Sequence, residues 1–232
     1  MRSKKATARL AGVLYVVMGI PAWFSLMYVP SAFVVSGNAT ATALNIASGQ
    51  FVYRLGILSE LVSQTIFVFL VFVFYDLLRD VDRKYARLMV ALVAISVAFE
   101  FVNCLNLVAP LILLSGADFL SAFSKSQLDA LVLFFLKLRN NGLGVVAALW
   151  GLWLLPLGVL VFKSGFIPRA LGVLLVIACF AYVTDSVLSI MLVSRSQTFN
   201  MVTTTLGGLG ELALVVWLIV KGVNVDRPEQ LA

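Results

Sequence analysis

Residues 51–78 read FVYRLGILSELVSQTIFVFLVFVFYDLL, an apolar run with Arg54 near its start and Glu60 nine residues in. A helix needs about 20 apolar residues to cross a bilayer, so this stretch alone is long enough. A carboxylate inside such a run is costly unless it is paired, protonated or hydrated, and it is a functional question by default. The heptapeptide around it, Leu55-Gly56-Ile57-Leu58-Ser59-Glu60-Leu61, returns as Leu206-Gly207-Gly208-Leu209-Gly210-Glu211-Leu212.

Outward from this stretch, five further apolar runs follow the same rule, at 8–27, 88–114, 143–162, 168–192 and 201–220. Only 12% of the 232 residues are charged and 62% are hydrophobic, against roughly a quarter charged in soluble domains. The spacing predicts an all-α, polytopic membrane protein, a six-transmembrane-helix bundle forming one integral domain over 1–232. Membrane barrels show a weaker two-residue alternation, which is not the pattern here.

The net charge of +6 does not predict a nucleic-acid partner, because the basic residues cluster at the ends of the apolar runs. Arg2, Lys4, Lys5 and Arg9 precede the first; Arg79, Arg83, Lys84 and Arg87 separate the second and third; Lys163 and Arg169 separate the fourth and fifth; Lys221 and Arg227 follow the sixth. These are 12 of the 17 Lys and Arg, and the positive-inside rule places that side, with both termini, in the cytoplasm. The N-terminal run is longer than a signal-peptide core and lacks a small-x-small cleavage site, so it counts as the first span. Residues 29–50 and 115–138 become outer segments. The first is expected to hold a short helix near 41–47 and the second an amphipathic helix leading into the fourth span. Arg139-Asn140-Asn141-Gly142 is expected to break that helix, because Asn and Gly favour turns. Asn38-Ala39-Thr40 fits a glycosylation acceptor, which has meaning only in a host with an endoplasmic reticulum.

The runs also pair. Arg9-Leu10-Ala11-Gly12-Val13-Leu14 opens the first span and Arg169-Ala170-Leu171-Gly172-Val173-Leu174 the fifth, each followed by a span with the glutamate heptapeptide. Three helical hairpins result, with the middle one fitting more loosely. Repetition of a hairpin and shared packing demands on small and branched residues both account for the pattern.

The intramembrane polar residues form the candidate site. Glu60 and Glu211 fall roughly 14–15 Å into their helices at 1.5 Å per residue. Glu100, Asn103 and Asn106 lie at i, i+3 and i+6 of the third span, a polar stripe that must face the bundle interior or water, with Pro110 beyond it. Asp185 sits in the fifth span. Arg54, Lys137 and Arg139 are the cations near these acids. One reading makes the groups interhelical hydrogen-bond glue, with Arg54 and Arg139 pairing Asp185 or Glu100. The other makes them line a cavity that binds a proton, a cation or a small amine, with Glu60 and Glu211 titrating.

Enzyme signatures are thin, and only a carboxylate-based chemistry stays open. The chain has no histidine, which removes the commonest general base and the usual zinc ligand. It has no nucleophile elbow, phosphate-binding loop or dinucleotide fingerprint. No cofactor or metal is expected. Cys104 and Cys179 read as apolar fillers within spans.

Several stretches together carry a family likeness: Arg9 to Tyr15, Ala43-Leu44-Asn45-Ile46 leading to Arg54-Leu55-Gly56, and Tyr75-Asp76-Leu77-Leu78-Arg79. It continues through Gly151 to Gly158, Ser164 to Arg169, Leu171 to Leu175, Tyr182 to Asp185 and Gly210-Glu211-Leu212. From Arg9 to Val223 the chain resembles the uncharacterised bacterial membrane-protein family labelled domain of unknown function 4386. The resemblance implies a multi-helix protein of the bacterial inner membrane and no established activity. The residues themselves favour small-solute or proton-linked transport or binding. The rival is a non-catalytic sensor or assembly factor with a membrane partner or a second copy of the chain.

Overall fold

The computed structural model describes residues 3–191 and 197–223, apart from the side chains of 197–204 and 206. Arg2 and Arg227, two of the basic residues in the charge asymmetry, lie outside the described residues. No strand occurs among the described residues. The helices are α1 (Lys4–Trp23), a π turn (Phe24–Tyr28), α2 (Val29–Phe33), α3 (Ala39–Ser48), α4 (Gln50–Leu78) and α5 (Arg83–Leu113). A 3₁₀ turn (Asp118–Leu120) precedes α6 (Lys125–Leu152), α7 (Leu154–Ser164), α8 (Arg169–Met191) and α9 (Gln197–Val220).

Five helical stretches are long and apolar enough to cross a membrane: Lys4–Phe33, Gln50–Leu78, Arg83–Leu113, Lys125–Ser164 and Arg169–Met191. In α9 the described apolar part, Gly207–Val220, is shorter. Large apolar side chains on these helices point outward, Phe180 at 64% and Phe69 at 60% exposure among them. An aqueous protein does not leave so many such residues uncovered, whereas lipid solvates them. The chain is therefore a helical membrane protein.

Two expectations change and one holds. The first apolar helix does not stop near Met27 but continues through the π turn into α2. Pro21 lies inside α1 and Pro30 at the start of α2, and neither can donate the backbone bond that a regular helix asks of it. Between them Val29 N–H reaches Phe24 O, the wider ring of a π turn. The short helix expected near 41–47 is present and runs Ala39–Ser48, capped by Asn38, whose side chain accepts from Ala41 N at 2.9 Å.

The second correction is the larger. Arg139-Asn140-Asn141-Gly142 does not break the helix, because α6 runs unbroken from Lys125 to Leu152. Turn propensity loses here to tertiary demands. Gly142 packs so closely on Asn103 that no Cβ would fit, and Asn103 Nδ2 donates to Arg139 O at 3.3 Å. The interruption comes instead at Trp153, where Pro156 has no N–H for the Leu152 carbonyl and Leu157 N reaches Trp153 O at a stretched 3.4 Å.

Two compact units divide these helices: residues 18–65 with 98–143, and residues 1–17 with 66–97 and 144–232. In the first, Val29, Phe33, Ala43, Ile46, Tyr53 and Val132 form an apolar core, and Tyr53 donates to Leu107 O at 3.0 Å. The second centres on buried Trp153, ringed by Tyr15, Phe67 and Phe74 at centroid distances of 5.1–6.3 Å. There α7 and α8 meet backbone to backbone at Gly158 and Gly172, the small-residue contact that bilayer helices use in place of a hydrophobic driving force.

A Cβ at Gly172 would stand 2.6 Å from Gly158 O and 2.8 Å from Phe162 N, and backbone cannot swing aside. Among the described residues, a Cβ at Gly208 would have nothing within 4 Å. Gly172→Ala is therefore expected to lower the melting temperature in mild detergent, at a cost of about 1–3 kcal/mol. Gly208→Ala should raise it slightly, by about 0.5–1 kcal/mol from helix propensity. Equal melting of the two variants would refute the close α7–α8 contact. Between α4 and α5, Asp82 caps α5 through Lys84 N at 3.1 Å and accepts from Lys163 Nζ at 3.1 Å. The hydrogen bond from Lys163 holds its carboxyl below the usual range. A depressed folded-state value means the contribution is present at neutral pH and is lost as pH falls through and below the ordinary carboxylate range. Asp82→Asn should thus melt below wild type at neutral pH, with the gap closing in acid; a gap that persists at low pH would overturn the ion-pair account.

Candidate functional site

The unit of residues 18–65 and 98–143 holds the principal polar cluster. Glu60 stands on α4 with its carboxylate buried, and Glu100 on α5 is fully buried. Arg139, on the uninterrupted α6, extends Nη2 to within 3.3 Å of Glu60 Oε2 and 3.3 Å of Glu100 Oε2. One nitrogen thus serves two acids, and the two carboxylates must lie within twice that distance of each other. The Arg139 side chain is 6% exposed, Glu60 2% and Glu100 0%, so water screens none of the three.

The same cluster draws on neutral donors. Ser25, in the π turn, donates its hydroxyl to Glu60 Oε2. Gln64, one turn along α4, offers Nε2 to Glu60 Oε1 at 3.5 Å. Asn103 binds the Arg139 carbonyl, and Asn106 Nδ2 donates to Asn103 Oδ1 at 3.2 Å and to Asn103 O at 3.1 Å. Among the described residues, Arg139 Nε and Nη1 have no hydrogen-bond partner. Formal charge does not close either: two carboxylates face one guanidinium, leaving one negative charge in excess unless a proton is held.

A cavity of about 240 Å³ lies beside this cluster. Its wall is mainly apolar, with Leu26, Pro30, Val34, Leu107, Leu133 and Leu136. Its polar positions are Ser25, Ser36, Lys137, Arg139 and Asn140.

Glu211 belongs to the other unit and has different company. Tyr15 of α1 donates its hydroxyl to Glu211 Oε2, and Tyr182 of α8 presents a second phenol to the same carboxylate. Asp185, half-buried on α8, also belongs to that unit. Arg54 is exposed on α4. Of the eight candidate residues, Glu60, Glu100, Asn103, Asn106 and Arg139 therefore form one connected network. Arg139 pairs with Glu100, one of the two partners the sequence offered, and additionally with Glu60.

Sequence reasoning missed Ser25, Tyr15 and Tyr182. Ser25 had a readable signal in the prolines on either side of it, at 21 and 30, which favour an irregular turn. The tyrosines carry no local signal, because their partner is 196 residues away for Tyr15. No cluster of metal-ligating side chains occurs among the described residues.

Comparison with known proteins supplies a family but no activity. The family model described as "Domain of unknown function (DUF4386)" matches residues 10–222, and the chain belongs to that family. A protein of Archaeoglobus fulgidus, described as uncharacterized, is 32% identical over 78 residues. That alignment covers 34% of this chain and 44% of the relative, so the match spans less than half of that protein. No solved structure matches the chain significantly.

Charge parity is testable. Removing one partner of a buried ion pair costs about 3–5 kcal/mol, because the other charge is left uncompensated. Glu100→Gln leaves Arg139 with Glu60 alone and is expected to melt at or above wild type in mild detergent. Arg139→Met strands two carboxylates and should melt far lower or fail to fold. Adding Glu60→Gln and Glu100→Gln to Arg139→Met should restore much of the loss. Wild-type melting of Arg139→Met would show that the cluster does not depend on its cation.

Proposed function

We propose that this member of the DUF4386 family is a non-enzymatic protein that binds a proton together with a small solute and moves them across a membrane. The observation that carries the reading is the unequal charge of the buried network, two carboxylates on one nitrogen of Arg139. An excess charge away from water is expensive, and one proton removes it. Ion and proton pathways are where such residues concentrate in membrane helices.

The reading includes a topology. Six spans in three hairpins, α9 being the sixth, place both termini on the cytoplasmic face of a bacterial inner membrane. The basic residues near the starts of α1, α5 and α8 support this through the positive-inside rule. The network then sits within α4, α5 and α6, where a proton arriving from one side meets Glu60 or Glu100 before the other.

Infrared titration of the protein in lipid vesicles tests the central step. Wild type is expected to show a protonated-carboxyl band that grows as pH falls. Glu100→Gln, with charges balanced, should lose it. A band that is unchanged by Glu100→Gln and by Glu60→Gln would defeat the proposal, since the proton would then reside elsewhere.

A further inference from the structure

The cavity beside the network identifies a ligand class. Among the described residues, the charged ones in its wall are Lys137 and Arg139, both cations, and Glu60 and Glu100 do not line it. Its remaining wall is dominated by leucines with Pro30 and Val34. At about 240 Å³ it has room for roughly eight groups of water size. It is thus smaller than the roughly 300–1,000 Å³ of sites for drug-sized ligands. The matching molecule has a short apolar body and one anionic head.

Arg139 has donors to spare for such a head. Its Nη2 serves the two glutamates, while the N–H groups of Nε and Nη1 have no partner although the side chain is buried. Both nitrogens are closed off from the cavity as the side chain stands, so a ligand oxygen would pair with them once the guanidinium turns toward the wall that Arg139 lines, relieving the cost of a buried unpaired donor. Guanidinium groups suit carboxylates because they can offer parallel N–H groups. Lys137, exposed on the same helix, adds a mobile ammonium. Ser25 ties the cavity to the acid pair, since it lines the wall and donates to Glu60.

We infer that this cavity, lined by Lys137, Arg139 and apolar residues of α2, α5 and α6, binds a medium-chain aliphatic carboxylate. The coupling rests on the proton-binding reading above. A carboxylate arriving at Arg139 adds a second excess negative charge, and a proton on the Glu60–Glu100 pair offsets it. Anion and proton therefore bind together. The charged and titratable groups in reach are Glu60 and Tyr53 from α4, Glu100 and Cys104 from α5, and Arg139 and Lys137 from α6. Tyr53 is engaged by the Leu107 carbonyl and Cys104 is a buried free thiol, which leaves the two glutamates as the proton acceptors.

The test uses the full chain in neutral-lipid nanodiscs and sodium octanoate with a labelled carboxyl carbon, followed by nuclear magnetic resonance and calorimetry. Octanoate is expected to bind saturably, with octanol and octylammonium at least tenfold weaker. Affinity should rise as pH falls, by up to about tenfold per pH unit if one proton is taken up per anion. Lys137→Gln, at an exposed position, should weaken octanoate and leave octanol unchanged, and Leu133→Trp should block both by filling the cavity. Binding that never saturates, or that survives both substitutions, overturns the inference. A protonated-carboxyl band that persists while octanoate fails to bind refutes the ligand and spares the proton reading; loss of the band with pH-independent octanoate binding does the reverse.

Discussion

The cost of holding charge away from water governs the arrangement of residues 18–65 and 98–143. Transfer of an ion into protein interior costs several kcal/mol even after relaxation, and only close opposite charge with further hydrogen bonds repays it. Arg139 meets this demand for two acids at 3.3 Å each. Much local structure follows from that contact. The side chain has to project from a helix that continues through Asn140, Asn141 and Gly142, and the Asn103 amide holds the Arg139 carbonyl at 3.3 Å. Gly142 is small because Asn103 lies against it. The π turn brings Ser25 to Glu60, a place where wide turns of this kind often serve function.

How much of this was legible follows from which forces act locally. The long helices were, because lipid requires each backbone group to be satisfied within its own segment and each span to be apolar. Glu60, Glu100 and Asn103 were legible as exceptions to that rule, whereas Arg139 was legible only as a cation ahead of the fourth span. The continuity of α6 was not, since turn propensity in Asn-Asn-Gly is a local preference and the contacts that override it come from α4 and α5. The end of the first helix was misplaced for a related reason. Prolines at 21 and 30 bend the hydrogen-bond pattern without ending the helix, as bilayer helices tolerate when neighbouring groups take up the freed bonds.

The tight glycine contacts explain how polar groups can be held at such cost. In the unit built around Trp153, Gly210 approaches the Leu174 carbonyl and Gly151 the Cys179 carbonyl, both with under 3 Å left for any added carbon. Helices this close are held in one register, since a shift of one residue would place a side chain where none fits. Fixed register is what lets Tyr15 and Tyr182 meet a single carboxylate.

The repeated heptapeptide shows where likeness of sequence stops carrying likeness of chemistry. In both copies the second residue is a glycine at a contact point, Gly56 against Val29 and Gly207 against the Tyr182 ring, each with a neighbour under 3 Å from an added Cβ. The glutamates, by contrast, have unlike partners. Glu60 shares a guanidinium with Glu100, while Glu211 is met by phenols, which solvate a carboxylate by dipole alone and need no second buried charge. The common element is therefore the packing role of the glycine, which any pair of close helices can demand. Phenols can also accept a hydrogen bond, so Glu211 can be held in either protonation state without a counter-charge. The chemistry that needs charge balance belongs to Glu60, and to the arginine that its copy lacks.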